Sequence, residues 1–113
     1  MTHDVATFVM FLLRSATDAH LMHWETDSFS KHTALGEYYE QIVEKTDALA
    51  EAHMGRYEKL KFGAGDPVQY LEKMKAFVEE SREHLPKDTE LQNLVDEIAQ
   101  LIDSTLYKLR FLA

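Results

Sequence analysis

This chain of 113 residues predicts an all-α fold, a single domain over residues 1–113 built as a four-helix bundle. Three observations carry that expectation. Apolar residues recur at spacings of three and four, and no segment alternates with the period of two that a half-buried strand needs. Only four Gly and two Pro occur, and they cluster, which leaves long runs of helix-forming residues between them. Helix-start residues stand where those runs open.

The first helix is expected from about Asp4 to Glu25, with Val5, Phe8, Val9, Leu12, Ala16, Ala19 and His23 on one face. Thr26-Asp27-Ser28-Phe29-Ser30 mixes capping and turn residues and ends it. A second helix is expected from Lys31 with Ser30 as N-cap, carrying Leu35, Tyr39, Ile42, Thr46, Leu49 and His53 as its stripe. It stops at Gly55 or runs on through Tyr57 and Leu60 to Phe62. Asp66-Pro67 opens the third, a capping residue followed by a proline at the first helical position. Leu71, Met74, Phe77 or Val78, and Leu85 form its face, and Pro86 stops it. The fourth is expected from Thr89, with Gln92 completing a capping box. Its wide stripe from Leu91 to Leu112 predicts burial against more than one neighbour.

Composition narrows the function. Hydrophobic residues at 45% and charged residues at 28% fit a soluble globular chain rather than a disordered one. A formal net charge of −8 argues against a nucleic-acid partner, because binding phosphate backbones needs clustered Lys and Arg. Such a surface attracts cations instead. Cysteine is absent, which excludes disulfides, thiolate metal sites and thiol catalysis, and a cytoplasmic location is expected. No signal peptide is visible, and the apolar run from Val5 to Leu13 is too short to span a bilayer, so no membrane partner is expected. Neither a nucleophile–base pair nor a phosphate-binding loop is present.

The residues that carry chemistry are His20, His23, His32, Asp47 and Glu51. Neutral imidazole suits iron, zinc and copper, and carboxylates supply hard oxygen ligands. His20 and His23 are three apart and share a helix face; Asp47 and Glu51 are one turn apart and share another. The bland reading makes the histidines core-edge residues and Trp24 a packing anchor. Asp47 and Glu51 end an acidic ridge with Glu37, Glu40 and Glu44, and for those three a solvated face is the preferred reading. The Glu-x-x-His pair that marks a di-iron site inside one bundle is absent, so no site within a single bundle's core is expected.

His23-Trp24 ending a first long helix, His32 early in the next, and the run Asp47-Ala48-Leu49-Ala50-Glu51 resemble the Dps-type mini-ferritins. In that family a His-Trp, a second His and an Asp-x-x-Ala-Glu run stand in the same order. Leu106-Tyr107-Lys108-Leu109-Arg110-Phe111-Leu112 is similar to the family's last helix. The resemblance implies a ferritin-like bundle that forms a homodimer or larger homo-oligomer. It implies a ferroxidase site at the dimer interface, where His23 and His32 of one subunit face Asp47 and Glu51 of its twofold mate. His20 matches a further His found in some members. The implied metal is iron, with zinc or another divalent metal as the alternative.

The chain departs from the family's pattern at several points. The His23–His32 interval is three residues shorter, and the Gly after the Trp is missing. Gly36 stands where an acidic ligand is often found, and Ala52 where an Arg usually follows the acidic run. There is no basic N-terminal tail of the kind some members use on DNA. A ferritin topology also needs a long crossover after the second helix. If that helix stops at Gly55, the following link reaches roughly 36 Å at about 3.3 Å per residue, and a helix from Lys31 to Met54 is about 36 Å long at 1.5 Å per residue. If it continues to Phe62, every link is short and the bundle is simply up-down-up-down. Two functions follow: a Dps-like metal-binding protein that oxidises Fe(II) with peroxide or dioxygen, or an inactive all-α oligomerisation module on the same scaffold.

Overall fold

Short polar side chains accept hydrogen bonds from otherwise unpaired backbone N–H groups at three of the four helix starts. Asp4 caps α1 (Val5–Glu25) by accepting from the N–H of Thr7 at 2.7 Å. Ser28 caps α2 (Phe29–Arg56) by accepting from Lys31 at 3.3 Å. Asp66 caps α3 (Pro67–Ser81) by accepting from Gln69 at 2.8 Å. A 3₁₀ turn over Arg82–His84 follows, and then α4 (Thr89–Phe111). The computed structural model describes residues 4–112, all-α with no strand among them. No helix among the described residues is long and apolar enough to cross a membrane.

The chain divides into two compact units, residues 1–63 and 64–113. In the first, α1 and α2 form a hairpin closed by the short link after Glu25. Val9, Ala16 and Ala19 of α1 and Thr46 of α2 are buried. The two alanines add little bulk, which lets the helices approach closely. The fully buried Thr46 hydroxyl is satisfied locally by donating to the carbonyl of Ile42 at 2.6 Å, a bond within the same helix. Midway along, the Ser15 and Tyr38 hydroxyls join the two helices at 2.8 Å.

In the second unit α3 packs on α4, whose Ile102 and Leu106 are buried. Three ion pairs connect the unit: Lys75 with Asp103, Arg82 with Asp96 at 2.5 Å, and Arg110 with Glu72 at 3.6 Å. The hydrogen bond that the Lys75 ammonium donates to the Asp103 carboxylate holds it above its ordinary value of 10.5. These pairs are solvent-accessible, so each contributes little alone. The wide stripe of α4 is split: Leu91, Leu94, Ile98 and Leu101 stay exposed.

Several boundaries differ from the sequence expectations. Ser28, not Ser30, caps α2, because the helix begins two residues earlier and Ser30 already lies inside it. Of the two ends left open for it, α2 takes the earlier, ending at Arg56, one residue past Gly55 and short of Phe62. The link beyond it contains Gly63 and Gly65 at φ 66° and 88°, the left-handed region that side chains resist. α3 ends at Ser81 and tightens into the 3₁₀ turn before Leu85. The capping box of α4 does not form. Asp88 takes the cap position without a side-chain bond, and Gln92 is committed elsewhere. Its Nε2 donates to the carbonyl of Pro86 at 2.8 Å and its Oε1 accepts from Arg82 at 2.9 Å.

Candidate metal centre

His23 lies in the last turn of α1 and His32 in the first turn of α2, so the hairpin link brings two imidazoles face to face. Their rings stack with centroids 3.6 Å apart and planes 20° from parallel. Each ring also holds the other's backbone. Nδ1 of His23 is 2.6 Å from the carbonyl oxygen of His32, and Nδ1 of His32 is 2.9 Å from the carbonyl oxygen of His23. A carbonyl oxygen only accepts, so both Nδ1 atoms carry the hydrogen and donate. In the neutral ring this leaves Nε2 with the lone pair, the state a metal ligand requires. The same exchange also supplies partners for carbonyls near the ends of two helices.

Gly36 lies beneath this pair, one turn after His32. A Cβ built there would meet Cε1 of His23 at 3.2 Å and Nδ1 at 3.4 Å. The imidazole therefore crowds the start of any side chain at 36 and would have to give by a few tenths of an ångström, a physical reason for glycine where the resembled family often has an acid. His20 completes the cluster. It stacks on Tyr39 at 4.0 Å and 11°, and Trp24 leans on it at 4.3 Å. Tyr39 also meets His23 edge-on at 5.4 Å. Trp24 is largely exposed, so it is not the packing anchor of the bland reading.

The histidines are thus brought together, and the carboxylates are not. Asp47 and Glu51 are exposed on α2, and Asp47 lies about 22 Å along the helix from His32 at 1.5 Å per residue. Glu37, Glu40 and Glu44 are exposed as well, the solvated ridge expected of them. Among the described residues, no three His, Asp or Glu side chains are grouped closely enough to hold a metal ion. One chain supplies two imidazoles at one end of the hairpin and two carboxylates toward the other.

Sequence reasoning overlooked Gly36 and Tyr39 as shapers of the site. Tyr39 was legible only as a member of the α2 stripe, yet its spacing of seven from His32 puts both on nearly the same side of that helix. His53, at the opposite end of the hairpin, has a buried Nδ1 without a hydrogen-bond partner and leans on Tyr57. In the second unit, the groove that includes Glu72, Lys75, Asp103 and Arg110 pairs its cations with its own carboxylates and presents no comparable ligand set.

No curated protein and no solved structure matches this chain. The model of a family of unknown function, DUF5856, matches residues 23–109, a span that opens on His23 and takes in His32, Asp47 and Glu51. Because that span is most of the 113 residues, the chain belongs to the DUF5856 family.

Proposed function

We propose that this protein is a Dps-like, ferritin-like metal-binding protein of the cytoplasm that takes up iron at a site completed between two copies of the chain. The observation that carries the reading is the reciprocal His23–His32 exchange. It fixes two rings in one tautomer and leaves both Nε2 atoms to act as ligands, the pre-orientation that outer hydrogen bonds give to metal-bound histidine. Asp47 and Glu51 of a second copy would supply the hard oxygens, His23 and His32 would complete the shell, and His20 would support them from the Tyr39 stack. Iron would be the substrate, bound as Fe(II) and oxidised by peroxide or dioxygen; zinc or another divalent cation is the alternative occupant.

A second reading makes the chain an inactive oligomerisation module on the same scaffold. The separation of carboxylates from imidazoles and the glycine at position 36 favour it. Anaerobic calorimetry with Fe(II), repeated with Zn(II), tests between them. Tight binding by the native chain that is lost in His23→Ala and in Asp47→Ala, with the helical signal kept, supports the metal reading. No heat from the native chain, or equal affinity in both variants, leaves the module.

A further inference from the structure

Along α1, one side of the hairpin carries an exposed apolar row whose spacing is symmetric along its length. We infer that it docks a second copy of this chain, antiparallel, about a twofold axis passing Thr17. Two contacts distinguish the sides of the hairpin: the Ser15–Tyr38 hydrogen bond on one and the His20–Tyr39 stack on the other. At 100° per residue, Met10, Leu13, Thr17, Leu21 and Trp24 all fall on the His20 side. Their spacings are 3, 4, 4 and 3, so the row reads alike in both directions from Thr17. An antiparallel copy sets Leu13 against the partner's Leu21 and Met10 against the partner's Trp24, with the small Thr17 at the crossing.

The row reaches the lower end of the range for a specific interface, about 1,200 Å² over both partners. The four apolar residues of the row are 42–68% exposed, and Phe29, on the same side at the start of α2, is 82% exposed. With about 150–250 Å² for each aromatic side chain and smaller shares from the aliphatic ones, the set offers on the order of 600 Å². A standard interface takes about 800 Å² from each partner. Charge favours a second copy over a foreign helix. Arg14 is the only Lys or Arg of α1 and Asp18 lies one turn on. The same twofold brings each Arg14 within about 3 Å, along the axis, of the partner's Asp18 at 1.5 Å per residue. A twofold interface must be self-complementary, and this row is.

The axis at Thr17 also bears on the carboxylates. Ser15–Tyr38, His20–Tyr39 and His23–His32 set the register of α1 against α2. About an axis at Thr17, His23 comes level with position 11 of the partner, and that register places position 11 level with positions 42–48 of the partner's α2. The partner's Asp47 falls in this interval, with the partner's Glu51 one turn beyond. The docking face stands on the hairpin alone; its link to the ligands rests on the proposed function.

The chain contains no cysteine, so single replacements report cleanly. Under mild oxidation with diamide, Thr17→Cys should run predominantly as a disulfide-linked dimer, and Ser15→Cys, on the opposite side, as monomer. In light scattering the native chain should have at least twice the mass of Leu21→Glu; Leu21 is half exposed, so the helical signal should be unchanged. A monomeric native chain, an unchanged mass for Leu21→Glu, or linking of Ser15→Cys in place of Thr17→Cys would overturn the inference. A dimer of this kind that binds neither Fe(II) nor Zn(II) keeps the docking face and removes the metal reading; a monomer that binds metal does the reverse.

Discussion

The imidazole of His23 lies 3.2 Å from where a Cβ at position 36 would stand, and this close contact can be weighed against helix propensity. Replacing a glycine inside a helix by alanine gains about 0.5–1 kcal/mol. Gly55, also in α2, has nothing within 4 Å of its built Cβ, so Gly55→Ala should raise stability by about that amount. At Gly36 the new methyl presses on a ring held by both a stack and a hydrogen bond. Gly36→Ala should therefore gain less than Gly55→Ala, with a net change within about 0.5 kcal/mol of zero once the displaced ring is set against the propensity gain. Urea denaturation of the two variants checks the difference. Equal stabilisation would mean that the ring yields freely and is not seated by Gly36. The neighbourhood of His23 and His32 was legible in the sequence, since a helix, a short polar break and a second helix return the chain on itself. Their mutual Nδ1–carbonyl bonds were not, because ring orientation is decided by the partner helix and not by spacing.

Helix starts show the same division between local and tertiary information. Asp66 acts as the cap the sequence reading makes it, and Asp4, read only as the start of the first helix, caps α1; each is followed by an N–H three residues on that its carboxylate can reach. Ser28 and Ser30 are both good caps by type. The choice of Ser28 puts Phe29 inside the helix and His32 in its first turn, where it meets His23. Thr89 with Gln92 satisfies the capping-box pattern, yet Gln92 is taken by Arg82 and Pro86 from the preceding turn, a competition that no reading of the fourth helix alone contains. The expected costs follow. Asp66→Ala should destabilise α3 by about 1 kcal/mol and Ser28→Ala α2 by about 0.5–1 kcal/mol, as for other lost caps. Thr89→Ala should change stability by under about 0.5 kcal/mol, since it removes no cap bond. Thermal melts of the three variants test the order; a Thr89→Ala loss equal to that of Asp66→Ala would restore the capping box.

For the molecule as a unit of function, all-α class and helix number were legible from periodicity, because each helix needs only its own stripe to be recognised. The candidate ligands could be named by residue type, but not their arrangement: imidazoles and carboxylates lie about 22 Å apart on one chain by the rise of the helix. A centre built from them therefore requires two chains, which makes complementation the most direct measurement of the account. His23→Ala and Glu51→Ala each remove one kind of ligand and should each abolish tight Fe(II) binding alone. Co-refolded in equal amounts, they should recover binding, because a mixed dimer contains one site with native His23, His32, Asp47 and Glu51. Calorimetry of the mixture that shows tight Fe(II) binding at about one site per mixed dimer is the expected result. A mixture as silent as its two components, with the native chain binding tightly, would contradict a centre shared between copies.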